Sequence, residues 1–202
     1  MVLDNHGIGQ VSDPSAVHKT PWGAVGEIIG IAASLHAGSY VNRLLDAIRC
    51  ELPPGADLEA WPRLREVPPH EPGPAPSVVR ELLALVGESD ALVLTAPEHS
   101  LLPVELEYAL GWMARAGVLD GKHVAVMCAS ARACGAMWAQ AELYKELLGA
   151  GAVAVGSELV ISPVCPHFDD DGRLWARDLR AQVRETVGQL CQAHLREPVL
   201  SV

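Results

Sequence analysis

Glu27-Ile28-Ile29-Gly30-Ile31-Ala32-Ala33-Ser34-Leu35-His36 is the stretch that decides the fold. Its first six residues are almost all apolar and rich in isoleucine, the pattern of a strand covered on both faces, as in a parallel sheet. The chain then turns polar through Gly38, Ser39 and Asn42. Val41, Leu44, Leu45, Ile48 and Leu52 follow at helical spacing, and Pro53-Pro54-Gly55 stops the helix. A buried strand, a short polar turn and an amphipathic helix make the first half of a strand-helix-strand crossover.

The unit recurs down the chain. Asp57 to Trp61 reads as a weaker, polar strand suited to a sheet edge. The interval from Pro62 to Pro76 holds six prolines, which leave no helical option and predict a surface loop. Val78, Val79, Leu82, Leu83 and Val86 mark a second helix, and Ala91-Leu92-Val93-Leu94-Thr95 a third, central strand. His123-Val124-Ala125-Val126-Met127-Cys128 is the fourth strand. Met137, Ala141, Tyr144 and Leu148 line the next helix, Ala152 to Ile161 contains the fifth strand, and Leu179, Val183, Val187, Leu190 and His194 line the last helix. Five strands alternating with five helices predict an α/β fold, flavodoxin-like, doubly wound about a five-stranded parallel sheet of order 2-1-3-4-5, with helices on both faces.

The third helix carries two apolar lines. Leu106, Ala109, Leu110 and Met113 face the sheet, while Val104, Tyr108 and Trp112 form a second line that one sheet cannot also cover. Either a loop or another subunit covers it. The expectation is a second copy, giving a homodimer or homotetramer through Tyr108 and Trp112.

The whole chain has 202 residues, which suits one domain over residues 25–202 preceded by an irregular arm over residues 1–24. Half of the residues are hydrophobic and 20% are charged, so a packed core rather than a disordered chain is expected. Fifteen basic against 25 acidic side chains give a net charge of −10, which argues against nucleic-acid backbones and anionic membrane surfaces as partners. The start lacks a signal-peptide pattern, and no window approaches the ~20 apolar residues of a membrane span. Cys50, Cys128, Cys134, Cys165 and Cys191 are scattered and odd in number, as expected of reduced thiols in a cytoplasm. Cys165 and His167 lack a third ligand at metal spacing, and Asp169-Asp170-Asp171-Gly172 lacks the spacing of a calcium loop, so no metal is expected.

In such a sheet, ligands bind outside the carboxyl ends of the strands where the strand order reverses. Three loops meet there. Residues 33–42 contain no acid and offer serine, glycine and asparagine groups beside free helix amides, the chemistry a phosphate needs; an ordinary turn capped by Ser39 reads equally well. The second loop, from Thr95 to Pro103, supplies Pro97 and main-chain amides, and its Glu98 and His99 are a candidate acid and base pair. The third, from Ala129 to Ala136, presents Ser130 and Arg132, the latter suited to an anion or a reduced ring.

Ile31-Ala32-Ala33-Ser34-Leu35-His36, with Ser39 and Asn42-Arg43-Leu44-Leu45, resembles the phosphate loop of the NADPH-dependent FMN reductase family. Thr95-Ala96-Pro97-Glu98-His99, Ala109-Leu110-Gly111-Trp112, Gly121-Lys122-His123-Val124-Ala125-Val126 and the turn Phe168-Asp169 with Asp171-Gly172-Arg173-Leu174 resemble further family segments in family order. The resemblance implies FMN and NADPH as cofactors and a flavin, quinone or similar small-molecule acceptor. It assigns the phosphate to Ser34, His36, Ser39 and Asn42, and the ring border to Pro97, Glu98, His99, Ser130 and Arg132. His36 replaces the arginine of the family's phosphate loop, and Val104 replaces a glycine. Those replacements motivate another reading, a flavodoxin-like protein without FMN that uses Glu98, His99, His36 and Arg132 for acid-base or anion contacts; a third, a non-catalytic partner subunit, would dock through the line of Tyr108 and Trp112.

Overall fold

Successive side chains of the central strands are buried on opposite faces of the sheet, and this sorts the helices into two layers. The structure, a computed structural model, describes residues 26–36, 38–96, 102–129, 133–156, 159–161, 167–169 and 173–194. Its strands are β1 (Glu27–Ala32), β2 (Asp57–Ala60), β3 (Ala91–Ala96), β4 (His123–Ala129), β5 (Val153–Ala154) and β6 (Leu159–Ile161). Its helices are α1 (Tyr40–Cys50), α2 (Ser77–Glu88), α3 (Val104–Ala116), α4 (Ala133–Gly149) and α5 (Arg177–His194). All strand pairs are parallel, in the order β2-β1-β3-β4-β5, with β6 also on β4. This is the expected 2-1-3-4-5 sheet.

Ile29, Ile31, Leu92, Leu94, Val124 and Val126 point to one side, where they pack with apolar residues of α2, α3 and α4. Ile28, Ala91, Val93, Ala125 and Met127 point to the other, against α1 and α5. The second side is built from smaller residues, and Gly30 shows why: a Cβ there would lie 2.7 Å from Leu45 Cδ1 of α1 and 2.8 Å from Leu58 Cδ2 of β2. The missing side chain lets α1 settle directly on β1. That docking fixes where α1 begins, and so the shape of the turn before it.

Four expectations need correction. The fifth strand is broken: β5 pairs with the start of β4 and β6 with its end. Gly156, between the two pieces, has φ +88°, and a Cβ there would stand 2.6 Å from Thr186 Cγ2 of α5. A left-handed backbone pressed onto a helix interrupts the ladder. Gly156→Ala should therefore lower unfolding free energy by about 2 kcal/mol, read from denaturant melting. On α4 the buried line is Gln140, Leu143 and Leu147, whereas Leu148 is 58% exposed. The line through Ala141 and Leu148 runs one residue off the face that meets the sheet, a rotation that many apolar residues on all sides of this helix hide. The proline-rich interval also contains a 3-10 turn at Leu64–Glu66, in the proline-free gap between Pro62 and Pro68, and it buries Leu64 and Val67.

The fourth concerns the second apolar line of α3. Trp112 is only 7% exposed, its Nε1 donates to the Pro68 carbonyl at 3.0 Å, and the His70 ring lies 4.4 Å from its own. The chain's own proline-rich loop covers Trp112, so that residue is unavailable to a second subunit. Tyr108 packs partly buried against the same core, and Val104 is 46% exposed. The loop is anchored where Trp61 Nε1 donates to Glu81 Oε1 at 3.0 Å and where Arg63 pairs with both Glu81 and Glu66.

Among the described residues, no helix is long and apolar enough to cross a membrane. Cys50 and Cys191 are free thiols. Burial pushes the Cys191 thiol up to about 11, which keeps it protonated and unreactive at neutral pH.

Candidate functional site

The turn between β1 and α1 is shaped by its own short polar side chains. Ser39 is the N-cap of α1, its Oγ accepting from the Asn42 amide at 3.3 Å. The Asn42 Nδ2 donates to the His36 carbonyl at 2.7 Å and to Ser39 Oγ at 3.0 Å, so one side chain ties the middle of the turn to the helix start. Ser34 Oγ accepts from the His36 amide at 3.3 Å, and the Ser39 amide donates to the His36 carbonyl at 3.0 Å. At the root, the Ala33 amide donates to the Thr95 carbonyl at 3.0 Å, tying the turn to the end of β3. The four residues read from sequence as a phosphate cradle, Ser34, His36, Ser39 and Asn42, thus lie in one closed turn between neighbouring strands.

Electrostatics favour an anion at this turn. The first turn of α1 contains no acidic residue, and a helix start carries partial positive charge and amides without intrahelical partners. Arg43, the nearest basic residue in sequence, holds its guanidinium 5.5 Å from the centre of the Tyr40 ring. Tyr40 in turn lies 6.1 Å from Phe168, so the start of α1 is buttressed from the 167–169 segment.

Beside the turn is a crevice of about 160 Å³ lined by Ala32, Ser34, Leu35, Asn42, Trp61, Pro62, Leu64 and Arg65. Its outer wall comes from the chain after β2, a contribution the sequence reading missed. Arg65 reaches across the opening, its Nη2 donating to the Leu35 carbonyl at 2.6 Å. No motif spacing marks Arg65, because its approach depends on how the proline-rich loop folds back. At the end of β3, Thr95 is fully buried and its hydroxyl has no hydrogen-bond partner among the described residues. Such a group is costly to leave unmatched, and unmatched buried polar groups are concentrated where function demands them. Hydroxyl, amide and guanidinium donors without a carboxylate fit the phosphate end of FMN.

Pro97, Glu98, His99, Ser130 and Arg132 lie outside the described residues, as do Cys165, Asp170 and Asp171 and the side chain of His194. A larger cavity of about 510 Å³ lies elsewhere, between the end of α1 (Ala47, Cys50, Glu51) and Asp169, Arg173, Leu174, Trp175 and Arg180. There the buried Glu51 carboxylate accepts from Arg180 and Arg184 of α5. Glu51 stands just before β2, whose first residue pairs with the first residue of β1, so this cavity is away from the carboxyl ends of the strands. The crevice at the turn, though smaller, is where an open α/β sheet places its ligand.

Residues 27–164 match the family described as NADPH-dependent FMN reductase. The chain belongs to that family. The match spans the turn, the crevice and all strands of the sheet, and with them the resembling segments from Ile31 to Val126; the turn from Phe168 to Leu174 lies beyond it. The chain is 30% identical to an NAD(P)H-dependent FMN reductase of Pseudomonas aeruginosa over 176 residues, which are 83% of this chain and 92% of that protein. Among solved structures, it superposes on FerB, a flavoenzyme NAD(P)H:(acceptor) oxidoreductase from Paracoccus denitrificans, with TM-score 0.73 at 22% identity, over 82% of this chain and 97% of FerB. It also superposes on an NAD(P)H:quinone oxidoreductase from Methanothermobacter marburgensis with TM-score 0.56 at 18% identity, over 83% of this chain and all of that one. At those identities the structural likenesses establish the flavodoxin-like fold. In this family member Arg65 lines the crevice beside the turn.

Proposed function

We propose that this FMN reductase family member is an NAD(P)H-dependent flavin oxidoreductase that binds FMN at the carboxyl ends of β1, β3 and β4. The observation that carries the reading is the turn of Ser34 to Asn42: acid-free in a chain of net charge −10, closed by Asn42, and opening onto the start of α1. When bound, FMN supplies a ring that takes hydride from a nicotinamide and passes the electron pair to an acceptor. The chain's residues supply position and charge. Ser34, His36, Ser39 and Asn42 hold the phosphate and set its distance from the sheet. Pro97, Glu98, His99, Ser130 and Arg132 would border the ring, with Glu98 and His99 as its acid and base pair and Arg132 as an anion contact.

The acceptor is a small molecule, a free flavin or quinone, and the working location is the cytoplasm, in keeping with the free thiols of Cys50 and Cys191. A homo-oligomer remains part of this reading, formed without Trp112, which the chain's own loop covers.

Steady-state NADPH oxidation with a quinone acceptor tests the proposal. Turnover by protein stripped of flavin should require added FMN and saturate with it. Turnover absent at every FMN concentration would remove the reductase reading and favour a crevice used for other anions.

A further inference from the structure

A phosphate monoester brings close to two negative charges into a chain that is already acidic. Residues 33–42 contain no lysine or arginine, and Arg43 is directed at the Tyr40 ring. The helix start supplies partial charge only. A fixed cation for the crevice must therefore come from elsewhere in the chain.

Arg65 is in place to be that cation. It stands on the 3-10 turn after β2, lines the same crevice as Ser34 and Asn42, and is held over the turn by one bond, Nη2 to the Leu35 carbonyl at 2.6 Å. Its sequence neighbour Glu66 does not neutralise it. Both Glu66 oxygens are taken by Arg63, Nε to Oε1 at 3.0 Å and Nη2 to Oε2 at 2.6 Å. Among the described residues Arg65 has no carboxylate within ion-pair distance. A guanidinium has five N–H donors in a planar fork, so fixing one on a carbonyl leaves others free to engage phosphate oxygens.

We infer that Arg65 binds a phosphate monoester group in the crevice beside Ser34 and Asn42, supplying from the β2 loop the permanent charge that the β1–α1 turn lacks. The inference rests on the proposed function and specifies its phosphate site. Two ligands of the reaction carry such a group, the 5′-phosphate of FMN and the 2′-phosphate of NADPH. Riboflavin and NADH are their counterparts without it.

The test compares wild type with Arg65→Gln, which keeps a donor for the Leu35 carbonyl and removes the charge, and with Arg65→Lys, which keeps the charge and loses the fork. Quenching of flavin fluorescence gives dissociation constants for FMN and riboflavin; competition against NADPH and NADH gives those of the coenzymes. Losing a charge-assisted contact should weaken the phosphorylated ligand about tenfold or more in Arg65→Gln, with Arg65→Lys between, while its unphosphorylated counterpart is unchanged. An effect on FMN alone assigns the flavin phosphate, and one on NADPH alone assigns the coenzyme phosphate. Equal weakening of phosphorylated and unphosphorylated ligands would show Arg65 to be merely a brace for Leu35 and overturn the inference, as would no change in any constant. Wild type that binds neither flavin would instead defeat the reductase reading.

Discussion

Asn42→Asp should weaken FMN binding by about a hundredfold while leaving the melting temperature within about 3 °C of wild type. The two effects separate because Asn42 has two separate tasks. Its Nδ2 donates to the His36 carbonyl and to Ser39 Oγ, which holds the turn in the shape that presents amides to a phosphate. An aspartate keeps the size and loses both donations. It also places a carboxylate where the chain has none, facing the ligand's own negative charge. For the helix, by contrast, the third position after the cap favours an acid, since a carboxylate there offsets the positive end of α1 and can accept from the cap amide. Riboflavin should lose much less than FMN, because only the phosphate meets the new charge. Parallel loss of both flavins would mean that the turn had collapsed. Unchanged FMN binding would place the phosphate elsewhere.

Trp112→Ala should be the most destabilising single truncation on the outer side of α3, costing about 3–5 kcal/mol and lowering the melting temperature by roughly 10 °C. Almost the whole indole is buried, and its Nε1 satisfies the Pro68 carbonyl. Removing it deprives the proline-rich loop of its seat, so protease cleavage between residues 62 and 76 should accelerate along with unfolding. The reading of Trp112 as a contact between subunits predicts a different pattern: destabilisation that depends on protein concentration and a shift in assembly size without loop cleavage. Because Leu64 and Val67 also enter the core from that loop, and Arg65 leaves it toward the crevice, loosening it should weaken ligand binding as well.

What the sequence made legible follows from the range over which each signal acts. β1, β3 and β4 are apolar along their length, and α1 announces itself by period, cap and proline stop; these are local signals, and sheet order follows from strand and helix alternation. The Ser39 cap and the acid-free turn were legible for the same reason. The cover over Trp112 was not, because an apolar line on a helix is the same whether a loop or a second subunit lies on it, and six prolines show only that regular helix is absent. The break at Gly156 depends on Thr186 of α5 lying close to it, and the buried line of α4 on a rotation of about 100°, one residue step, that a helix apolar on several sides does not encode. Arg65 was invisible for a related reason. It serves a turn 30 positions earlier in the chain, and the link exists only once the loop after β2 has folded against β1.

The most direct measurement is a spectral titration of the purified full chain, first with FMN and then, without oxygen, with NADPH. The flavin should stay with the protein through gel filtration, and its yellow absorbance should bleach on addition of an equimolar amount of NADPH and return when a quinone is admitted. Flavin that separates freely from the protein, or a bound flavin that NADPH leaves yellow, would contradict the account.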